Sequence, residues 1–168
     1  MPFVLFVCTA NQFRSPIAAA CLIDFIRQEN PPGKWRVESA GTWTKPGLPA
    51  SSLALQIAQR FGLRGLKSHV TQEVSQELLD QFDLILVMET NHLEAIGSEF
   101  HHVHGRLMLL SEIVDGIPYS ILDPSDPSSD PNEVASELQM LIQRGGNKIL
   151  KLAKSLHSAR QVLDEGNL

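Results

Sequence analysis

The chain of 168 residues reads as one α/β domain with a parallel sheet. Two observations predict this. Phe3–Val7 and Leu84–Met88 are short apolar runs without polar alternation, as strands buried on both faces require. Helical patterns separate them and the two weaker strand signals, and strands alternating with helices imply parallel crossovers.

In order, Phe3–Val7 is the first strand. The six-residue stretch Thr9–Arg14 has no periodicity, and Ser15-Pro16 then signals a helix start, with Ser15 as N-cap and proline in the first turn. That helix is expected from Pro16 to about Gln28, with Ile17, Cys21, Leu22 and Phe25 inward, stopping before Pro31-Pro32-Gly33. Trp35–Ser39 is a second strand, followed by a loop, Ala40–Pro49, that carries Trp43. Ser51–Phe61 is a helix ended by Gly62. Leu66–Thr71 connects to a short helix, Gln76–Gln81. After the strand Leu84–Met88, Asn91 and Glu94 suggest a capping box for a helix over Asn91–Gly97. Arg106–Leu110 is the fourth strand. Asp115–Pro131, rich in Pro, Ser and Asp, is a long loop of the kind that is usually functional or disordered. From Asn132 an apolar stripe (Val134, Leu138, Leu141, Ile142, Ile149, Leu152, Ala153, Leu156) keeps helical phase across Gly145-Gly146, so one long helix, bent there, is expected. The domain is read as residues 1–160, with fraying from Ser158 and a frayed tail over 161–168.

Composition narrows the function classes. A net charge of −5 argues against nucleic acid or an anionic membrane as the main partner. No apolar run approaches transmembrane length, and no basic stretch precedes the first apolar run. Two cysteines make no disulfide framework, which fits a reducing, cytoplasmic setting.

Chemistry concentrates at Cys8 to Ser15. A thiol at the end of a buried strand faces the N-terminus of a helix across a short loop. Backbone N–H groups and the positive helix end converge there on an anion site and favour the thiolate. Arg14, five residues beyond Cys8 in the pattern C-x5-R-S, can offer a planar fork to two phosphate oxygens. A thiolate beneath a bound phosphate is arranged for in-line attack through a phosphocysteine. No nucleotide-binding glycine motif is present.

This stretch resembles the signature of the low-molecular-weight protein tyrosine phosphatase family. Ser39-Ala40-Gly41-Thr42, the strand Asp83–Met88 and a late Asp-Pro match in the family's order, over roughly residues 3 to 160. The resemblance implies a four-stranded parallel sheet with helices on both faces, the first strand inside it. It implies a phosphomonoester hydrolase, most simply a protein-tyrosine phosphatase, working without cofactor or metal. Catalysis falls to Cys8, Arg14 and Asp126, and the loop Thr9, Ala10, Asn11, Gln12, Phe13 with Ser15 holds the phosphate. Ser15 supports the Cys8 sulfur, and Ser39 and His69 hold Asn11. By itself His69 reads as a surface or satisfied core histidine; the Ser39 match beside it puts the supporting role level with that reading. Trp43 either walls the pocket or has a core or surface role.

The general acid needs an Asp-Pro, and Asp123, Asp126 and Asp130 all qualify. The family pattern, laid against Glu133 in the following helix, selects Asp126 and leaves Asp123 as the alternative register. The chain also departs from the family. Ala10 stands where glycine is usual, Gln12 replaces an apolar or Thr residue that helps select the substrate, and Phe13 replaces a second cysteine. Ser128 follows Asp126-Pro127 where an aromatic commonly flanks the substrate ring; Tyr119 is a possible substitute. His101-His102-Val103-His104 lacks the spacing of a metal site. Cys21 reads as an inert core residue. The expected partner is a phosphorylated protein or a small phosphate ester, met by a monomer or weak dimer. Protein-arginine or small-molecule phosphatase activity is the alternative. Arsenate reduction is disfavoured because Cys21 is the only other thiol, and a silent phosphate-binding module is the remaining reading.

Overall fold

The computed structural model describes residues 1–165. Four parallel strands, β1 (Phe3–Cys8), β2 (Arg36–Gly41), β3 (Leu84–Val87) and β4 (Leu107–Leu109), form one sheet in the order β2-β1-β3-β4. The helices are α1 (Arg14–Glu29), α2 (Ser52–Arg60), α3 (Gln76–Leu79), α4 (Thr90–Glu99), α5 (Leu110–Asp115) and α6 (Pro131–Glu165). The first strand lies inside the sheet, at the switch point where open α/β sheets bind ligands beyond their carboxyl ends. Cys8 is the last residue of β1 and pairs with Gly41.

The alternation of β1 divides the core. Val4, Phe6 and Cys8 face the layer built by α1, α2, α5 and α6, and Leu5 and Val7 face that of α3 and α4. Every one of these five residues is buried because helices cover both sheet faces. Cys8 therefore points to the side from which α1 presents its N-terminus.

Several local expectations are corrected. Helix α1 starts at Arg14 with Phe13 as N-cap, and Ser15 lies inside the helix with its hydroxyl turned to Cys8. The box at the start of α4 joins Glu89 and His92, not Asn91 and Glu94. β2 extends to Gly41 because Thr42 N–H and Trp43 N–H bond to the carbonyls of Cys8 and Thr9. β4 is shorter than expected, since the buried Arg106 turns away to donate to the carbonyls of Leu79 and Phe82. Leu110–Asp115 is a helix, ended by Gly116 at φ 74°, and this shortens the irregular stretch to Gly116–Asp130.

α6 runs unbroken through Gly145-Gly146 for 35 residues. A Cβ at Gly145 would meet Val114 Cγ2 at 2.3 Å, and one at Gly146 would meet Phe25 Cε1 at 2.5 Å. The glycines thus mark where α5 and α1 press on the helix backbone. The helix continues past Ser158 to Glu165, where fraying was expected; residues 166–168 of that expected tail lie outside the described residues. His157 and Arg160 tie this end of α6 to the buried Asp83. No helix among the described residues is long and apolar enough to cross a membrane.

Candidate active site

The loop after β1 is held open from outside. Asn11 adopts φ 56°, left-handed backbone that asparagine tolerates. Its side chain accepts from Gln72 N–H at 3.0 Å and donates to Ser39 Oγ at 2.8 Å and Ser15 Oγ at 2.9 Å. The carbonyl of Asn11 is taken by His69 Nε2 at 2.8 Å, and that of Gln12 by Ser51 N–H at 2.9 Å. The Cys8 and Thr9 carbonyls are engaged as well, so four carbonyls of the loop are taken by groups outside it. The N–H groups of Ala10, Asn11, Gln12 and Phe13 have no acceptor among the described residues. Such a nest of free donors at a helix N-terminus selects an anion.

Cys8 lies at the floor of this nest, 2% exposed, with Ser15 Oγ 3.0 Å from its sulfur. A hydroxyl at that distance donates to a thiolate. Arg14 closes one side and is 1% exposed. Its Nη1 pairs with Glu89 and donates to the Ile121 carbonyl at 2.9 Å; its Nη2 donates to Asp123 Oδ2 at 2.6 Å and lies 3.5 Å from Thr9 Oγ1. A buried guanidinium held at both ends presents a fixed plane, which bidentate oxyanion recognition requires.

The Asp-Pro loop reaches this centre through Asp123 and not through Asp126. Ile121 is fully buried, its N–H bonds to the Met88 carbonyl at 2.8 Å, and its own carbonyl holds Arg14. Two residues on, Asp123 meets Arg14. Asp126 is exposed and turned to its own loop, accepting from Ser128 N–H at 2.8 Å and Ser128 Oγ at 2.7 Å. The residue beyond Asp123-Pro124 is Ser125, so no aromatic follows either Asp-Pro. Tyr119 does not replace it: its hydroxyl donates to Asp115 at 2.7 Å, and burial, with that bond, pushes it up to about 12.

Electrostatics are divided between neighbours. Burial by itself would raise Asp123, but hydrogen bonds from Ser125 and then the charge and hydrogen bond of Arg14 outweigh it and hold the carboxyl below its ordinary value. Burial lowers His69, with its bond to the Asn11 carbonyl acting the other way. His92 is pushed down to about 4, by burial first and the nearby Arg14 second, against Glu89 and Asp123.

The remaining expected residues are less central. Trp43 is 79% exposed, although its backbone N–H donates to the Thr9 carbonyl at 3.0 Å, so it stands on the rim of the loop. Gln12 sends its Nε2 to the Pro49 carbonyl at 3.1 Å. Ala10 is exposed, and Phe13 is buried in the core beneath the loop. His102 pairs with Asp80 and His104 contacts the Gly97 carbonyl, so the histidine run engages separate partners. Cys21 is buried and pushed up to about 12, by burial and then by Asp24.

Sequence reading missed Glu89 and His92. They stand three apart just past the carboxyl end of β3, the strand beside β1, and that position is itself the available signal.

The family model described as low molecular weight phosphotyrosine protein phosphatase matches residues 3–162. A protein-arginine-phosphatase of Bacillus subtilis (strain 168) is 30% identical over 149 residues, covering 88% of this chain and 97% of that protein. The low molecular weight protein-tyrosine-phosphatase Etp of Escherichia coli (strain K12) is 32% identical over 130 residues, 77% of this chain and 82% of its own. Among solved structures, the YwlE arginine phosphatase from Geobacillus stearothermophilus superposes with a TM-score of 0.78 at 30% identity, covering 90% of this chain and 94% of that one.

Proposed function

This chain belongs to the low molecular weight phosphotyrosine protein phosphatase family, and on that premise we propose that it hydrolyses phosphorylated protein through a phosphocysteine at Cys8. The observation that carries this reading is the Cys8 sulfur at the floor of the amide nest, 3.0 Å from Ser15 Oγ and walled by the buried Arg14.

In the first step the Cys8 thiolate attacks phosphorus as the ester P–O bond breaks, and Asp123 gives its proton to the leaving oxygen. The loop amides and Arg14 bind the three equatorial oxygens, whose charge they stabilise in the transition state. In the second step water attacks phosphorus, the Asp123 carboxylate takes its proton, and the P–S bond breaks. Ser15 then donates to the departing thiolate. Asp123 begins this cycle paired with Arg14. A phosphate dianion engaging Arg14 competes for that charge and adds its own, and both effects raise the Asp123 carboxyl toward the protonated form the first step needs.

Phosphotyrosine is the substrate class we assign, with Trp43 on the rim available to meet its ring. Phosphoarginine is the second reading. With the Gln12 Nε2 committed to Pro49, its Oε1 has no donor among the described residues and is the acceptor that side chain can offer. An acceptor at the rim suits a guanidinium, which has N–H donors, better than a phenyl ring, which has none. The need for a free thiolate goes with a reducing, cytoplasmic setting, and a monomer or weak dimer is sufficient because the site lies within one chain.

The test is phosphate release in EDTA from para-nitrophenyl phosphate, phosphotyrosine peptide and phosphoarginine peptide, by wild type, Cys8→Ser and Arg14→Lys. Turnover should vanish in Cys8→Ser while phosphate still binds, and kcat should fall strongly in Arg14→Lys, since an ammonium cannot bind two oxygens as a fork. Near-normal turnover by Cys8→Ser would end the phosphocysteine reading. The ratio of the two peptide rates decides the substrate class.

A further inference from the structure

The start of α4 grips the phosphate loop at two points. Glu89 pairs with Arg14 through its carboxylate, which also caps the His92 N–H. In return His92 Nδ1 accepts from Glu89 N–H at 3.2 Å. That bond fixes the tautomer: Nδ1 is the acceptor, so the ring proton sits on Nε2 and is donated to Thr9 Oγ1 at 2.9 Å. Thr9 directly follows the nucleophile, and its Oγ1 is 3.5 Å from Arg14 Nη2. Arg14, Glu89, His92 and Thr9 thus close a ring of contacts, with His92 5% exposed within it.

The two Nη groups of Arg14 are not held alike. Nη1 has Glu89 and a backbone carbonyl. Nη2 has Asp123, which must change partner when it acts as acid, and Thr9, which need not. The lasting restraint on the Nη2 side is therefore the Thr9 hydroxyl, whose direction His92 sets. A neutral imidazole suits this task. A protonated one would turn Nδ1 into a donor against the Glu89 N–H and place a second cation beside Arg14.

We propose that His92 is a positioning residue for phosphoryl transfer, holding the Arg14 guanidinium plane through Thr9 and Glu89. The proposal rests on Arg14 being the fork that binds phosphate. A plane that tilts still attracts a dianion but meets the equatorial oxygens of the transition state less well, so the loss belongs in kcat more than in KM.

Three variants separate this role from a structural one. His92→Asn keeps an acceptor oxygen near Nδ1, and so the α4 start, but is too short to reach Thr9. His92→Gln can carry an N–H out to Thr9. Thr9→Val removes the hydroxyl without touching α4. With para-nitrophenyl phosphate, His92→Asn and Thr9→Val should each lose ~10-fold in kcat with KM within about twofold. The double variant should be no worse than either single one, because both break the same contact, and His92→Gln should recover most of the rate.

An unchanged kcat in Thr9→Val, a loss confined to KM, or additive losses in the double variant would overturn the proposal. Thr9→Val decides alone if His92→Asn proves unfolded by circular dichroism. Failure of the underlying reading shows elsewhere: Arg14→Lys hydrolysing at the wild-type rate would remove the fork itself. A crippled Arg14→Lys beside inert Thr9 and His92 variants would remove only the role of His92.

Discussion

Asp123 Oδ2 lies 2.6 Å from Arg14 Nη2, joining the Asp-Pro loop to the phosphate loop across the mouth of the site. The contact places the carboxyl beside the guanidinium proposed to bind the transferred phosphate. Asp126, three residues on, spends its acceptors on Ser128.

The leaving group reads out the acid. Asp123→Asn should lose roughly 10²–10⁴-fold in kcat with phenyl phosphate, and less with para-nitrophenyl phosphate, whose anion leaves with little help. Asp126→Asn should leave both rates nearly unchanged. The kcat profile of wild type should fall on the alkaline side as Asp123 deprotonates in the complex, and Asp123→Asn should flatten that limb. A leaving-group-dependent loss in Asp126→Asn alone would return the role to Asp126.

Peroxide should inactivate the enzyme with poor recovery. Phe13 stands where relatives of this family carry a second loop cysteine. The other thiol, Cys21, is buried and held protonated, pushed up to about 12, so it cannot readily attack a sulfenic acid at Cys8. Activity regained with dithiothreitol after brief peroxide should be low, and phosphate present during exposure should protect. A Cys8–Cys21 disulfide found by mass spectrometry would contradict this.

Stability should fall with acid through His92. Its folded value, about 4, lies below the ordinary 6.5 because burial and Arg14 oppose the charged ring. The unfolded chain takes up the proton first, so this contribution to stability is complete above 6.5, declines as pH drops from 6.5 to about 4, and is level below. His69, also lowered, acts with the same sign. Urea unfolding at a series of pH values should show a shallower decline in His92→Asn than in wild type.

Glycine should be the better residue at two helical positions. Gly145→Ala and Gly146→Ala gain helix propensity of about 1 kcal/mol, but each new Cβ meets a side chain of α5 or α1 at 2.6 Å or less (Val114 Cγ2 at 2.3 Å, Phe25 Cε1 at 2.5 Å and Cζ at 2.6 Å). Overpacking should win by ~1–2 kcal/mol, lowering Tm by roughly 2–8 °C in thermal melts. A raised Tm would show that α5 and α1 yield to the added methyl.

The apolar runs Phe3–Val7 and Leu84–Met88, alternating with helical patterns, determined the parallel α/β class, and the stretch from Phe3 to Pro16 by itself pointed to the thiol and guanidinium. A buried strand, a loop and a helix start are contiguous there, so local preferences and chemistry point to one place. The long α6 was equally legible, since its apolar stripe keeps phase across the glycines. Other features depend on contacts distant in sequence. Three Asp-Pro pairs at close spacing carry no periodicity, and only the docking of Ile121 onto Met88 and Arg14 decides which aspartate arrives. Ser15 was legible as support for the Cys8 sulfur through the family resemblance, but its reading as a helix cap fails because its hydroxyl lies among Cys8, Asn11 and Ala40. Glu89 and His92 gained their partners because β3 lies next to β1, which brings residues over seventy positions apart onto one loop. Chain order specifies the reactive atoms; the neighbours that orient them come from strands adjacent in the sheet.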